Sequence, residues 1–280
     1  MFPAAQRPRS SERGRSPLAK KATGMENKIE DICLKLAVED PRSVEIESKR
    51  RVLSEEADAV QRFLLKRKKV VHQRSSFFFD QFLDTPRMEL LHGGASLRLR
   101  YKRNGAEVYL QYKGPGFRSK GLLYRSELST GRLLHVLLEE SHHDIVHFKD
   151  TSVREILSRH AEPSMERTMR RHLGPRVIER ITVGPILCVY RKEKFLMELG
   201  NSFLEPSVDR VFAFHINRNG LHPLSSFCEY ENEIKSPGSD LESKLKRLDE
   251  LLSFDRALSE RFDMPPERHD KYHRCASFFA

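Results

Sequence analysis

The chain of 280 residues contains no tryptophan and only four cysteines, Cys33, Cys188, Cys228 and Cys275. None of the four forms a C-x-x-C pair and no signal peptide precedes them, which argues against both a thiolate zinc site and a disulfide framework. No apolar run approaches the roughly 20 residues that span a bilayer, so a soluble, cytoplasmic protein is expected, with no membrane partner. Acidic charge is the minority: 50 Lys and Arg stand against 40 Asp and Glu, a formal net charge of +10 that favours an anionic partner. Charged residues make up 32% of a chain long enough to bury a real core, so many charges must find a place on the surface or in a polar cavity.

Part of the excess sits at the start, where residues 1–24 hold six Lys or Arg against one Glu, with three Pro and three Ser. Such a segment buries too little apolar surface to order itself and reads as a disordered basic tail. Its Arg and Ser content suits a transit peptide, but its prolines break an amphipathic helix, which leaves mitochondrial targeting the lesser alternative. Residues 25–273 read as one domain, 131–175 as a helix-rich insert within it, and 274–280 as a second tail.

Val44 to Leu53 reads as a strand with Glu45, Glu47, Lys49 and Arg51 on one face and Val44, Ile46 and Val52 on the other, because successive strand side chains point to opposite sides. Residues 54–68 read as a helix capped by Ser54. Further strands are expected at Val70 to Leu83, Ser96 to Arg103, Glu107 to Lys113 and Leu122 to Leu128. Asp84-Thr85-Pro86, Asn104-Gly105 and Gly114-Pro115-Gly116 punctuate them. Ile178 to Val189, Phe195 to Leu199 and Val208 to Ile216 resume the pattern, Asn219-Gly220 marks a hairpin, and Phe227 to Ile234 is the last strand. From Asp240 to Phe262 the period turns helical, with Ser239 as cap; beyond that the chain is too irregular to assign.

Glu45 and Glu47, two apart on one strand face, lie about 6.8 Å from each other, a spacing from which carboxylates share or flank a hard divalent ion such as Mg²⁺ or Mn²⁺. Glu127, Glu231 and Glu233 add more acids than one ion requires. Opposite them stand Lys49, Arg98, Arg100, Lys113 and Arg125, donors suited to a polyanion. A charged face on one strand is ordinarily the solvated side of an antiparallel sheet. Here at least four strands do it, with acids on the first and last and bases between, and closing that sheet turns the face into a charged tunnel.

Glu45-Ile46-Glu47-Ser48-Lys49 matches the Glu-x-Glu-x-Lys signature of the CYTH, or triphosphate tunnel metalloenzyme, family. Leu83-Asp84-Thr85-Pro86 resembles its aromatic-Asp-Thr-Pro segment, and Gly94 to Arg100 its Gly-x-x-Leu-Arg-hydrophobic-Arg strand. Tyr112-Lys113-Gly114, Tyr124 to Glu127, Arg191 to Phe195, Val208 to Val211 and Glu229 to Glu233 follow in the family's order, over roughly residues 41 to 235. The resemblance implies an α+β fold, an eight-stranded antiparallel β-barrel with flanking helices and a C-terminal helix that plugs the tunnel, a role for which Lys271-Tyr272 is available. It also implies Mg²⁺ or Mn²⁺ on Glu45, Glu47, Glu127, Asp209, Glu231 and Glu233. Lys49, Arg98, Arg100, Lys113, Arg125, Arg191 and Lys194 would hold phosphates, Glu45, Glu47 and Lys49 are the catalytic candidates, and Glu229 is expected just outside the tunnel.

Three functions fit these residues. The first is metal-dependent hydrolysis of a triphosphate: inorganic tripolyphosphate, a nucleoside or thiamine triphosphate, or an RNA 5′-triphosphate end. The second is a class IV adenylyl cyclase reaction yielding cyclic AMP and pyrophosphate, which the motifs do not separate from the first. The third is a non-catalytic polyphosphate or RNA 5′-end binding module, against which the full set of carboxylates argues, since a plain anion binder gains nothing by repelling its ligand.

Overall fold

A computed structural model describes residues 17–102, 107–131, 153–217 and 220–278. Eight strands are present among them: β1 (Val44–Val52), β2 (Val70–Asp84), β3 (Ser96–Lys102), β4 (Glu107–Ser119), β5 (Leu122–Ser129), β6 (Thr182–Leu199), β7 (Ser202–Asn217) and β8 (Gly220–Lys235). They close into an antiparallel barrel in the order β1-β5-β4-β3-β2-β6-β7-β8, with β1 bonded to both β5 and β8. The helices are α1 (Pro17–Lys35), α2 (Ala57–Lys66), α3 (Glu89–His92), α4 (Val153–His160), α5 (Pro163–Leu173), α6 (Pro175–Ile178), α7 (Leu241–Leu245), α8 (Leu248–Ser259) and α9 (Lys271–Ala276). None of them is long and apolar enough to cross a membrane.

Strand alternation decides what this barrel contains. Val44, Ile46 and Val52 point outward into an apolar cluster with Leu36, Val60, Leu64, Leu245, Leu251 and Phe254, so α1, α2, α7 and α8 cover the barrel rather than fill it. A second outer cluster joins β3 and β4 to α4, α5 and α6 through Leu97, Leu99, Leu110, Ile156, Met165 and Met169. With these apolar faces committed outward, the opposite faces carry the charges inward, beside an inner apolar cluster of Phe78, Phe82, Ile186, Val211 and Phe227.

Several elements differ from the sequence reading. α1 begins at Pro17, inside the expected basic tail; Pro suits a first helical turn and the following Leu-Ala-Lys-Lys-Ala are strong helix formers. The rest of that tail, the Asn104-Gly105 turn and residues 132–152 of the insert lie outside the described residues. β4 does not stop at Gly114-Pro115-Gly116 but passes through it in a bulge between Lys113 and Gly116. A Cβ on Gly116 would sit 2.6 Å from the Tyr124 carbonyl oxygen, so only glycine allows the strands to stay paired there. The two segments expected either side of residues 190–194 are one strand, β6, because a polar interior lets a charged run continue a strand. Ser54 does not cap α2, whose N-cap is Glu56 without a side-chain bond. The helix expected over 240–262 breaks into α7 and α8, capped by Asp240 rather than Ser239.

Asp84 ties two ends of the fold together. Its buried carboxylate accepts from the backbone N–H of Thr85 (2.7 Å), Leu90 (2.9 Å) and Leu91 (3.0 Å), which holds α3, and from the Tyr272 hydroxyl (2.9 Å), which holds α9. Asp84→Ala strands all four donors, and at about 1–3 kcal/mol per unsatisfied buried partner the variant is expected to lose at least about 3 kcal/mol in urea unfolding. An unchanged midpoint would refute this anchoring role.

Candidate functional site

The barrel interior is a cavity of ≈ 180 Å³ lined almost wholly by charged and polar side chains. Acids and bases face each other through the strand register. Glu45 pairs with Arg125 across β1 and β5, Lys49 with Glu231 across β1 and β8, and Lys192 with Asp209 across β6 and β7; Glu47 opposite Glu233 is an acid–acid exception.

Two groups of carboxylates result, each with oxygens within 4.8 Å of one another: Glu45, Glu127 and Glu233 in the first, Asp209, Glu229 and Glu231 in the second. Around the first, Lys113 reaches Glu45 (2.9 Å) and Glu127 (3.2 Å), Arg125 reaches Glu45 (2.7 Å), and Lys235 pairs with Glu233. Burial works against the Glu45 charge, yet Lys113 and Arg125 hold its carboxyl well below the usual range. Glu233 fares differently. Burial, with Glu45 and Glu127 alongside, pushes it up to about 7 despite Lys235. The first group's three acids meet three cations, but Arg125 is shared with Glu47 and Asp270, and the converging carboxylate oxygens are the hard donors that Mg²⁺, Mn²⁺ or Ca²⁺ take. It fits a divalent cation.

The second group is already filled by ammonium ions. Lys271, from α9, lies 2.8 Å from Asp209 and 2.9 Å from Glu231 and also pairs with Glu229. Lys192 reaches Glu231 at 2.6 Å and Lys49 reaches it at 2.7 Å. Three carboxylates meet three lysines, and the Lys271 ammonium is held charged by Asp209, Glu229 and Glu231 in spite of its burial.

On the wall formed by β2, β3 and β6, Asp80 is fully buried and grips two guanidinium groups. Arg100 binds it through Nε and Nη2 (2.8 and 2.9 Å), Arg98 through Nη1 (2.9 Å), and Tyr190 donates its hydroxyl to it (2.9 Å). Burial opposes the Asp80 charge, but Arg100 and Arg98 hold its carboxyl well below the usual range. Gln111 accepts two further bonds from Arg98. The two arginines are thus fixed in orientation before any ligand arrives.

The structure brings most of the expected residues to the cavity. Glu45, Lys49, Arg98, Arg100, Lys113, Arg125, Glu127, Lys194, Glu231 and Glu233 all line it. Asp209 is buried beside them. Glu47 stands apart from both carboxylate groups, tied to Arg125 at 2.7 Å. Arg191 is a correction: its side chain is 52% exposed and pairs with Glu193 on the outer surface, while Lys192 is 15% exposed and faces in. Phe195 explains this, since it belongs to the outer apolar cluster and Arg191, four residues earlier on the same strand, shares its face. Glu229 is corrected in the other direction, being fully buried within the second group. Asp80, Lys192, Glu205 and Lys235 were missed as site residues, and the parity of Phe195 and of the Glu229 to Lys235 run was the available signal for Lys192 and Lys235.

Residues 43–161 match the sequence model of the CYTH domain. The barrel of this chain resembles HpAC1 of Hippeastrum, described as an adenylyl cyclase with a dominant triphosphatase activity, at 17% identity and a TM-score of 0.54 over 83% of this chain and 95% of that one. PH1819 of Pyrococcus horikoshii OT3 is similar at 16% identity and a TM-score of 0.47, covering 83% of this chain and 98% of that one. Among curated proteins no sequence matches. At such identities the likeness is one of fold.

The crowding at Glu233 has a sign. Its value in the fold lies above that of an unfolded glutamate, so the stability it contributes is present at low pH and is lost as pH rises through about 7. A divalent cation binds the ionised form and competes with the proton. Mg²⁺ and Mn²⁺ affinity, measured by calorimetry, is expected to tighten between pH 6 and pH 8 with proton release, and to lose that dependence in Glu233→Gln. Affinity that is flat over this interval in the unaltered chain would contradict the assignment of the first group as the cation site.

Proposed function

We propose that this CYTH-domain chain hydrolyses a triphosphate-bearing compound in its tunnel, using Mg²⁺ or Mn²⁺. The observation that carries the reading is the juxtaposition, inside one buried cavity, of three converging carboxylates, one of whose cations is shared with other acids, and a wall of pre-oriented cations. HpAC1, with the same fold, is described as having a dominant triphosphatase activity.

Glu45, Glu127 and Glu233 would hold the divalent ion, which supplies charge neutralisation and an activated water when bound. The chain's own residues supply position. Arg98 and Arg100, clamped by Asp80, present guanidinium forks to phosphate oxygens. Lys113, Arg125, Lys192, Lys194 and Lys235 extend the cationic lining around the cavity. Attack of water on the terminal phosphorus and departure of the remaining chain spread negative charge over phosphate oxygens, which fixed cations in a water-poor cavity stabilise more strongly than water does. Burial and the neighbouring Lys192 pull the Lys194 ammonium below its ordinary value, so that wall is itself in need of an anion.

Purified chain incubated with tripolyphosphate, ATP, thiamine triphosphate and 5′-triphosphate RNA, each with Mg²⁺ and with Mn²⁺, is expected to release orthophosphate from at least one of them. Lys192→Ala is expected to slow that release by about 10²-fold, the scale on which removing one transition-state donor acts. Arg191→Ala, on the outer surface, is expected to leave it within about twofold. Cyclic AMP and pyrophosphate from ATP, without orthophosphate, would replace the proposal with a cyclase; no product from any of the four would overturn catalysis altogether.

A further inference from the structure

The helix that carries Lys271 into the tunnel also carries a thiol. Lys271 and Cys275 are four residues apart on α9 and so share a helix face. While Lys271 rests on the second carboxylate group, the Cys275 sulfur lies 3.1 Å from the sulfur of Cys188 on β6, and both side chains are fully buried. They sit among Phe78, Phe82, Ile186, Val211 and Phe227, in an apolar cluster inside the barrel that α9 completes with Tyr272 stacked on Phe82 at 4.5 Å. The other two cysteines are elsewhere: Cys33 on α1, and Cys228 on β8 beside Ser54.

We propose that Cys188 and Cys275 are an oxidation site, at which a small-molecule disulfide such as oxidised glutathione converts the two thiols into a disulfide that fastens α9, and with it Lys271, in the tunnel. A bond of about 2.05 Å requires the sulfurs to close by about 1 Å, within reach of small side-chain and helix adjustments. The exchange is balanced by the oxidant. The Cys275 sulfur attacks one oxidant sulfur, breaking its S–S bond and releasing one small thiol; the Cys188 sulfur then attacks Cys275 and releases the second. Two electrons pass to the oxidant and the two cysteine protons leave on the released thiols.

Docked, the pair resists this reaction. Burial, with the Cys275 thiol alongside, pushes the Cys188 thiol well above the ordinary cysteine range, and a thiol rather than a thiolate is a poor nucleophile. The first step belongs to a form in which α9 has swung out and Cys275 meets solvent. α9 is short, six residues, and its side chains hold it in place: Tyr272 to Asp84 and stacked on Phe82, His273 to the Leu91 carbonyl (2.7 Å), the Lys271 ion pairs, and Arg274 to the Cys228 carbonyl (3.3 Å) and over the Phe227 ring. The disulfide therefore records that α9 has opened and then prevents it from opening again.

The consequence for turnover rests on the proposed triphosphatase reading; the formation of the bond does not. Full-length protein treated with oxidised glutathione is expected to lose two hydrogens in intact mass and to give a linked peptide containing Cys188 and Cys275. Its Tm is expected to rise by about 5 °C or more, with all changes reversed by dithiothreitol and absent in both Cys275→Ser and Cys188→Ala. Orthophosphate release from tripolyphosphate is expected to fall several-fold on oxidation of the unaltered chain and to be indifferent to oxidant in Cys275→Ser. Alkylation of both thiols after oxidant treatment and denaturation, or glutathione adducts confined to Cys33 and Cys228, would overturn the site. A linked peptide with undiminished turnover would overturn the latch. If reduced protein hydrolyses nothing, mass and Tm still decide the disulfide while the triphosphatase reading falls.

Discussion

Everything in this fold depends on compensating charge inside a closed barrel. A carboxylate or ammonium taken out of water costs several kcal/mol even after relaxation, and Glu45, Glu47, Lys49, Asp80, Arg125, Asp209 and Glu229 are each almost wholly buried. The cost is met by register. β1, β5 and β8 place Glu45 against Arg125 and Lys49 against Glu231, and a slip of one residue in any of them would turn a row of charges into the apolar shell and a row of Val and Ile into the tunnel. The inverted arrangement also dictates the helices, because a barrel whose interior is charged except for the cluster around Phe82 and Tyr272 must find most of its hydrophobic core on the outside.

How far the sequence reveals this follows from that inversion. The charged face of β1, the Arg98-Leu99-Arg100 alternation and the Glu229-Glu231-Glu233 run are local patterns of period two, and they survive into the structure with their faces intact. The Asp84-Thr85-Pro86 segment was legible as a stop, but its larger role, accepting the Tyr272 hydroxyl from the far end of the chain, is a long-range contact that no local pattern carries. Residues 191–194 misled for a different reason: four consecutive charges have no intrinsic parity, and only Phe195, anchored in the outer cluster, sets which of them enter the tunnel. The grouping of carboxylates into two sets of three is likewise a product of which strands become neighbours.

The two sets are chemically unequal although both are made of three acids. Lys49, Lys192 and Lys271 neutralise Asp209, Glu229 and Glu231 nearly one for one, whereas of the three cations at the first set, Lys113, Arg125 and Lys235, Arg125 is shared with Glu47 and Asp270. Burial, with neighbouring acids, raises Glu233 in the first set and Glu229 in the second. α9 is thus more than a stopper. Its lysine is an internal counter-ion, and removing the helix would leave the second group of acids under-compensated.

On the proposed reading, this neutrality links the binding of anion and cation. In the resting chain Lys113 is committed to Glu45 and Glu127, and Lys192 to Asp209 and Glu231. A triphosphate can claim those lysines only by drawing them from their carboxylates, which leaves buried acids without partners unless a divalent ion takes the lysines' place. Each ligand thus removes the penalty that the other incurs, and by thermodynamic reciprocity each must raise the affinity of the other by the same factor. Selectivity follows from the same exchange. A monovalent anion releases too few lysines to make room for a divalent cation, and a cation alone leaves the lysine and arginine wall unsatisfied, so the cavity favours a ligand pair in which a long polyanion and a hard cation arrive together.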